Sequence, residues 1–235
     1  MNKLIVVTGG TKGIGKAIIE KFAASSFDVV TCSRNQDDLE KFQADQEQRY
    51  PGVKIHTFKT DVSDKQQVKT FCDFVIQLQS PIEVLVNNAG YFLPGEIISE
   101  PEDTLERMIN ANLYSAYHIC RGLIPTMQQK RHGHVFNMCS IASIKAYANG
   151  GSYAITKFAM LGLSKCLREE LKEFGIRVTA VMPGATKTAS WEGVDIPDER
   201  FMKAEDVAET IYAAYALSER SVVEEIIIRP QLGDL

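Results

Sequence analysis

No run in this sequence approaches the roughly 20 apolar residues that a membrane-spanning helix needs. The first apolar stretch, residues 4–7, follows a single Lys and gives way at once to Thr8-Gly9-Gly10, too short for the core of a secretion signal. Basic residues never gather into a dense block and the net charge is −4, which argues against nucleic acid or an anionic membrane as the main partner. The five cysteines (Cys32, Cys72, Cys120, Cys139 and Cys166) are odd in number, scattered and without metal-ligand spacing. They read as small buried apolar side chains of a reducing compartment. The four histidines (His56, His118, His132 and His134) form no cluster, so no metal and no histidine chemistry is expected. No compositional break, repeat or low-complexity segment divides the 235 residues. The expectation is a soluble cytoplasmic protein with one domain spanning residues 1–235.

What the chain does have is alternation. Short β-branched runs at 4–7, 29–32, 53–58, 82–86, 134–139, 176–182 and 225–228 alternate with helical patterns. Those patterns cover residues following Gly15, then 37–50, 64–78, 101–129, 152–174 and 204–217, with a loop over 184–203. Apolar strands alternating with helices predict an α/β fold: a doubly wound parallel sheet of about seven strands, Rossmann-type, with helices on both faces. Between the first strand and the first helix stands Thr8-Gly9-Gly10-Thr11-Lys12-Gly13-Ile14-Gly15. A glycine-rich turn in that position lets backbone approach a pyrophosphate closely, and the helix N-terminus favours its negative charge.

The stretch from His134 to Lys157 brings a second chemistry. It runs from a strand through Ser140 into a helix whose early turns carry Tyr153 and Lys157. Four residues apart, these two share one helix face. A free phenol titrates near pH ~10, so matching it to neutral pH takes roughly 4 kcal/mol. One cation at ~4 Å in a partly shielded site supplies about that much. A second Tyr-x-x-x-Lys, Tyr50 to Lys54, runs through Pro51-Gly52 and cannot present one face.

Together these residues make the chain resemble the short-chain dehydrogenase/reductase family over nearly its whole length. The family's Thr-Gly-x-x-x-Gly-x-Gly is matched by residues 8–15, and its Asn-Asn-Ala-Gly by residues 87–90. Its helix asparagine falls on Asn112, its Ser, Tyr and Lys on Ser140, Tyr153 and Lys157, and its Pro-Gly-x-x-x-Thr on residues 183–188. The resemblance implies an oxidoreductase that moves a hydride between a nicotinamide cofactor and a carbonyl or alcohol. Tyr153 would be the general acid/base, with Lys157 lowering its pKa and binding the nicotinamide ribose. Ser140 would polarise the carbonyl, and Asn112 would bend its helix and hold a water linking Lys157 to solvent. The cofactor would touch Gly9, Thr11, Lys12, Gly13, Ile14, Gly15, Ser33, Arg34, Asp61, Val62, Asn88, Ala89, Gly90, Tyr153, Lys157, Pro183, Gly184, Thr186 and Thr188. Two positions depart from the common pattern: Cys139 where a second Ser is frequent, and Ser115 where a Gly is frequent.

Charge bears on which cofactor is used. The end of the second strand reads Cys32-Ser33-Arg34-Asn35, without the carboxylate that an NAD site uses on the ribose hydroxyls. Arg34 and Lys12 can instead hold a 2′-phosphate, so NADP(H) is expected. Asp37 and Asp38 stand close by, and the alternative reading is that both cations are solvated surface charges. Asp61 belongs beside the adenine or caps a turn. Loops at 91–94, 141–147 and 185–202 should frame a small-molecule carbonyl or alcohol substrate. The only tryptophan, Trp191, is either a lid over it or a packing residue. β-Hydroxy or β-keto acids, ketoacyl thioesters, pterin side chains and xenobiotic carbonyls all remain open. The alternative function is a nucleotide-sensing binding protein without turnover. The resemblance also implies a homodimer or homotetramer, with helices 101–129 and 152–174 pairing with their symmetry mates.

Overall fold

The computed structural model describes all residues except Met1, Ala189, Ser190, Glu192 and Val194. Seven strands form one parallel sheet: β1 (Leu4–Thr8), β2 (Asp28–Ser33), β3 (Ile55–Lys59), β4 (Ile82–Asn87), β5 (Gly133–Met138), β6 (Ile176–Pro183) and β7 (Glu225–Ile228). Their spatial order is β3-β2-β1-β4-β5-β6-β7. The helices are α1 (Gly13–Ala23), α2 (Gln36–Arg49), α3 (Lys65–Gln77), α4 (Thr104–Ile109), α5 (Ser115–Lys130), α6 (Gly151–Leu171) and α7 (Ala204–Tyr215). Among the described residues no helix is long and apolar enough to cross a membrane.

Strand pleating sorts the core. Ile5 and Val7 point to one face, where Ile18, Phe22, Val86, Phe136 and Ile211 join them. Leu4 and Val6 point to the other, with Phe71, Leu85, Ile119, Leu123 and Val178. Alternate residues of one strand therefore serve two separate cores, and the sheet needs helices on both sides to exclude water. The direction in which strands are added reverses between β1 and β4, since β2 and β3 lie to one side of β1 and β4 to β7 to the other. A crevice opens at the carboxyl ends of strands where order reverses in this way.

The expected helix over 101–129 differs from what forms. Pro101 to Asp103 make a turn, closed by the Thr104 N–H on the Pro101 carbonyl at 3.0 Å, and α4 begins only at Thr104. Between α4 and α5 lies a π-helical turn, Asn110–Tyr114. One extra residue per turn there re-aims the side chains that follow.

At the opposite, amino end of the sheet a polar staple joins distant segments. Glu83 Oε1 accepts from the Tyr215 hydroxyl at 2.6 Å, from Lys3 Nζ at 3.0 Å, and sits 3.1 Å from His132 Nε2. Lys3 Nζ also donates to Tyr215 Oη at 2.8 Å.

Candidate active site

Every predicted site residue stands at or just beyond the carboxyl end of a strand, or on the helix that follows. The β1–α1 turn is built around close backbone approach. Gly9 has φ of +68°, a conformation that side chains disfavour. A Cβ on Gly15 would stand 2.5 Å from the Gly9 carbonyl and 2.5 Å from Asn88 Nδ2, so only glycine fits. Thr8 Oγ1 accepts from both the Asn88 and Ala89 N–H groups, each at 3.0 Å. Asn88 Nδ2 returns donors to Thr8 O at 2.9 Å and Gly9 O at 3.0 Å. The turn after β1 and the turn after β4 are thus stitched into one surface. Gly13 lies against the Thr188 methyl, which brings the segment after β6 to the same place. Lys12 is the N-cap of α1 and makes no side-chain capping bond, so the first N–H groups of that helix keep their donors for an anion. A diphosphate fits this cradle: bare backbone, tight approach and an uncapped helix N-terminus.

Asn112 sits in the π-turn, buried. Its Oδ1 accepts the Tyr91 N–H at 2.9 Å, and its Nδ2 donates to Tyr91 O at 2.9 Å and to Thr156 Oγ1 at 3.2 Å. The side chain clamps the segment that leaves Gly90 onto α6. Thr156 in turn donates to Tyr153 O at 2.8 Å. Ser140 N-caps a short 3₁₀ turn, Ile141–Ser143, with Oγ accepting from the Ala142 N–H at 3.1 Å. Lys157, buried, donates from Nζ to Met138 O at 2.7 Å and lies 5.6 Å from the Tyr153 ring centre. Phe92 meets the same ring edge-on at 4.9 Å.

Against the expected lowering of Tyr153 by Lys157 stands the burial of both groups. Burial raises the phenol above its usual range, and hydrogen bonding with Ser140 only partly draws it back. Burial likewise lowers the Lys157 ammonium. The lysine charge is directed at a backbone carbonyl, and desolvation outweighs it. Tyr147 is pushed up to about 12, by burial first and by neighbouring Tyr153 second. His134 is buried neutral, down to about 2, stacked on Phe136 and bonded to Thr179 Oγ1 at 2.7 Å.

Other predicted residues are placed differently from one another. Lys12 Nζ does not stand free beside Arg34; it pairs with Asp38 Oδ2 at 2.8 Å. Arg34 is exposed next to the partly buried Ser33. Asp61 is engaged in its own turn, accepting from Ser63 N at 3.0 Å and Ser63 Oγ at 2.7 Å, while Val62 packs against the second core. Ile14 packs against the first core. Pro183 ends β6, Gly184 N–H donates to Ile228 O at 2.8 Å, and buried Thr186 donates to Gly184 O at 3.1 Å. Trp191 packs edge-on against Phe201 at 5.1 Å. Of the 185–202 loop, residues 189, 190, 192 and 194 lie outside the described residues. A groove of about 660 Å³ lined by Ile97, Ile98, Tyr147, Ile155 and Phe158 follows the outer flank of α6, and neither Ser140 nor Tyr153 lines it.

Sequence reasoning passed over Thr8, Phe92 and Thr156 as individual site residues. Thr8 was legible as the opening letter of the glycine motif, and Thr156 as the position one turn after Tyr153. Phe92 gave no signal beyond lying in a framing loop.

A family model described as short chain dehydrogenase matches residues 3–197. The chain belongs to the short-chain dehydrogenase family. A sepiapterin reductase of Chlorobaculum tepidum is 34% identical, over 100% of this chain and 99% of that protein. Among solved structures, an alcohol dehydrogenase from the archaeon Thermococcus sibiricus complexed with 5-hydroxy-NADP superposes with a TM-score of 0.91. It is 26% identical, with 98% of this chain and 97% of that one covered. The L-sorbose reductase from Gluconobacter frateurii complexed with NADPH and L-sorbose has a TM-score of 0.90 at 25% identity, covering 97% and 95%. This short-chain dehydrogenase therefore shares both its sheet and its full extent with oxidoreductases of the family.

Proposed function

We propose that this short-chain dehydrogenase, acting as one domain over residues 1–235, is an NADP(H)-dependent oxidoreductase for a small carbonyl or secondary alcohol. The observation that carries the reading is that Ser140 and Lys157 both flank Tyr153, Ser140 by a hydrogen bond to the phenol and Lys157 5.6 Å from its ring centre. NADP(H)-bound relatives of the same fold support the cofactor, as does the pair of cations after β1 and β2. Bound in the cradle, the dinucleotide would supply or accept the hydride. The chain's own residues would do the rest. Backbone at Gly9, Thr11, Gly13, Ile14 and Gly15 would hold the diphosphate. Ser33, Arg34, Lys12, Asp61 and Val62 would line the adenosine end. Asn88, Ala89, Gly90, Pro183, Gly184, Thr186 and Thr188 would line the nicotinamide end. Ser140 Oγ would orient the carbonyl oxygen and Tyr153 Oη would give it a proton. Lys157 would bind the ribose, and Asn112 would hold the water through which Tyr153 regains its proton from solvent. Phe92 would exclude water from the phenol.

The sepiapterin reductase relative places side-chain ketones of pterins in the test panel, beside β-keto acids, ketoacyl thioesters and simple xenobiotic carbonyls. NADPH and NADH consumption over that panel, native chain against Tyr153→Phe, tests the reading. Turnover with NADPH that falls about 10²–10⁴-fold in the variant is expected. Tight NADPH binding with no turnover on any carbonyl would favour a nucleotide sensor instead. The chain is also proposed to act as a homodimer or homotetramer in the cytoplasm; light scattering reads the assembly directly.

A further inference from the structure

Lys12 and Asp38 are 26 residues apart, yet the fold sets their charges 2.8 Å from each other. Lys12 caps α1 and Asp38 lies in the first turn of α2. Asn35 fixes that turn, its Oδ1 accepting the Asp38 N–H at 3.2 Å. The ion pair therefore bridges the two helix starts that flank the end of β2. Arg34 lies in the same place and, among the described residues, makes no ion pair. Two cations would suit a phosphate on the adenosine ribose, but one already has a carboxylate partner.

We propose that Asp38 is a specificity-determining residue that restrains the preference for a 2′-phosphorylated dinucleotide. The proposal rests on the reading of this turn as the dinucleotide site. The pair is exposed, with Lys12 and Asp38 side chains 68% and 30% accessible, so it opens at little cost and does not block the site. What Asp38 adds is a negative charge facing the position of a phosphate dianion. It also competes with that phosphate for Lys12. An unphosphorylated ribose meets neither penalty. With Asp38 present, Lys12, Arg34 and Asp38 sum to one positive charge; with Asn they sum to two. The carboxylate thus lowers the affinity for NADPH while leaving that for NADH nearly untouched.

Isothermal titration of the native chain and of Asp38→Asn with NADPH, NADH, 2′,5′-ADP and 5′-AMP tests this without turnover. Asn keeps the size of the side chain, and a melting curve checks the fold. NADPH and 2′,5′-ADP should bind about 2- to 5-fold tighter to the variant, the scale of one exposed ion-pair contribution. NADH and 5′-AMP should move less than about twofold, and the gain should shrink as salt screens it. Adding Lys12→Ala to Asp38→Asn should take the gain away. Unchanged or weaker NADPH binding by Asp38→Asn, or an equal gain for NADH, overturns the role of Asp38 alone. A native chain that binds neither NADPH nor 2′,5′-ADP overturns the dinucleotide reading and this inference with it.

Discussion

Tyr153 is held between opposing influences. Burial favours the neutral phenol, Ser140 favours the phenolate, and Lys157, turned to Met138 O, does not decide the balance. A phenol raised above its usual ~10 stays protonated through the neutral range, which suits giving a proton to a carbonyl. Reduction at limiting substrate should therefore stay level across neutral pH and fall only in strongly alkaline solution. Alcohol oxidation, which needs the phenolate, should still be climbing at pH ~10. An oxidation limb complete by pH ~8 in initial-rate measurements would show that a charge has overcome burial. At this scale the sequence was only partly legible. Spacing put Tyr153 and Lys157 on one face, but the sign of the phenol's shift depends on burial and on which acceptor the lysine chooses. The Lys12–Asp38 pair was equally hidden, because the rotational phase of α2 about its axis cannot be read from its polar, weakly patterned residues.

The strands were legible because parallel strands buried on both faces are continuous apolar runs, and their ends were placed to within one or two residues. The π-turn was not. Residues 110–114 look like ordinary helix, and one extra residue in a turn leaves no compositional mark. Its consequence is nevertheless specific: Asn112 is aimed at Tyr91 and Thr156, joining the segment after β4 to α6. Asn112→Ala would leave the partly buried Tyr91 backbone groups without these partners, at about 1 kcal/mol for each group stranded. A clear loss of stability in urea unfolding is expected, together with weaker quenching or ordering of Phe92 against Tyr153. An Asn112→Ala chain as stable as the native one would mean that Tyr91 finds other partners. Asp61 shows the reverse lesson. The sequence left it beside the adenine or in a turn, and in the structure its Oδ1 accepts from Ser63 N and Ser63 Oγ.

Across the whole molecule, chemistry and anchorage occupy opposite ends of the sheet. At the amino end, burial would raise Glu83, but hydrogen bonds from Tyr215, His132 and Lys3 outweigh it and hold the carboxyl below its usual range. A lowered carboxyl contributes stability above its unfolded value of ~4.3 and loses it as pH falls through the folded value. The native chain should therefore lose stability more steeply than Glu83→Gln in acid unfolding below pH ~4, while at pH 7 the variant should be the weaker by about 1–3 kcal/mol. Parallel acid profiles would remove Glu83 as the anchor. That the staple ties Lys3, Glu83, His132 and Tyr215 was invisible in the sequence, since the four stand up to 212 residues apart. The fold class was plain from alternation, and the family from motifs that fall at strand carboxyl ends or on the helices that follow.

The division between the two ends makes the scaffold modular for engineering. The framing loops at 91–94 and 185–202 can be varied to change what the chain accepts so long as Asn112 keeps its bonds to the Tyr91 backbone, because the Glu83 staple lies on the far side of the sheet. A library confined to those loops should retain folded members at high frequency, and selection can then act on specificity with little interference from instability.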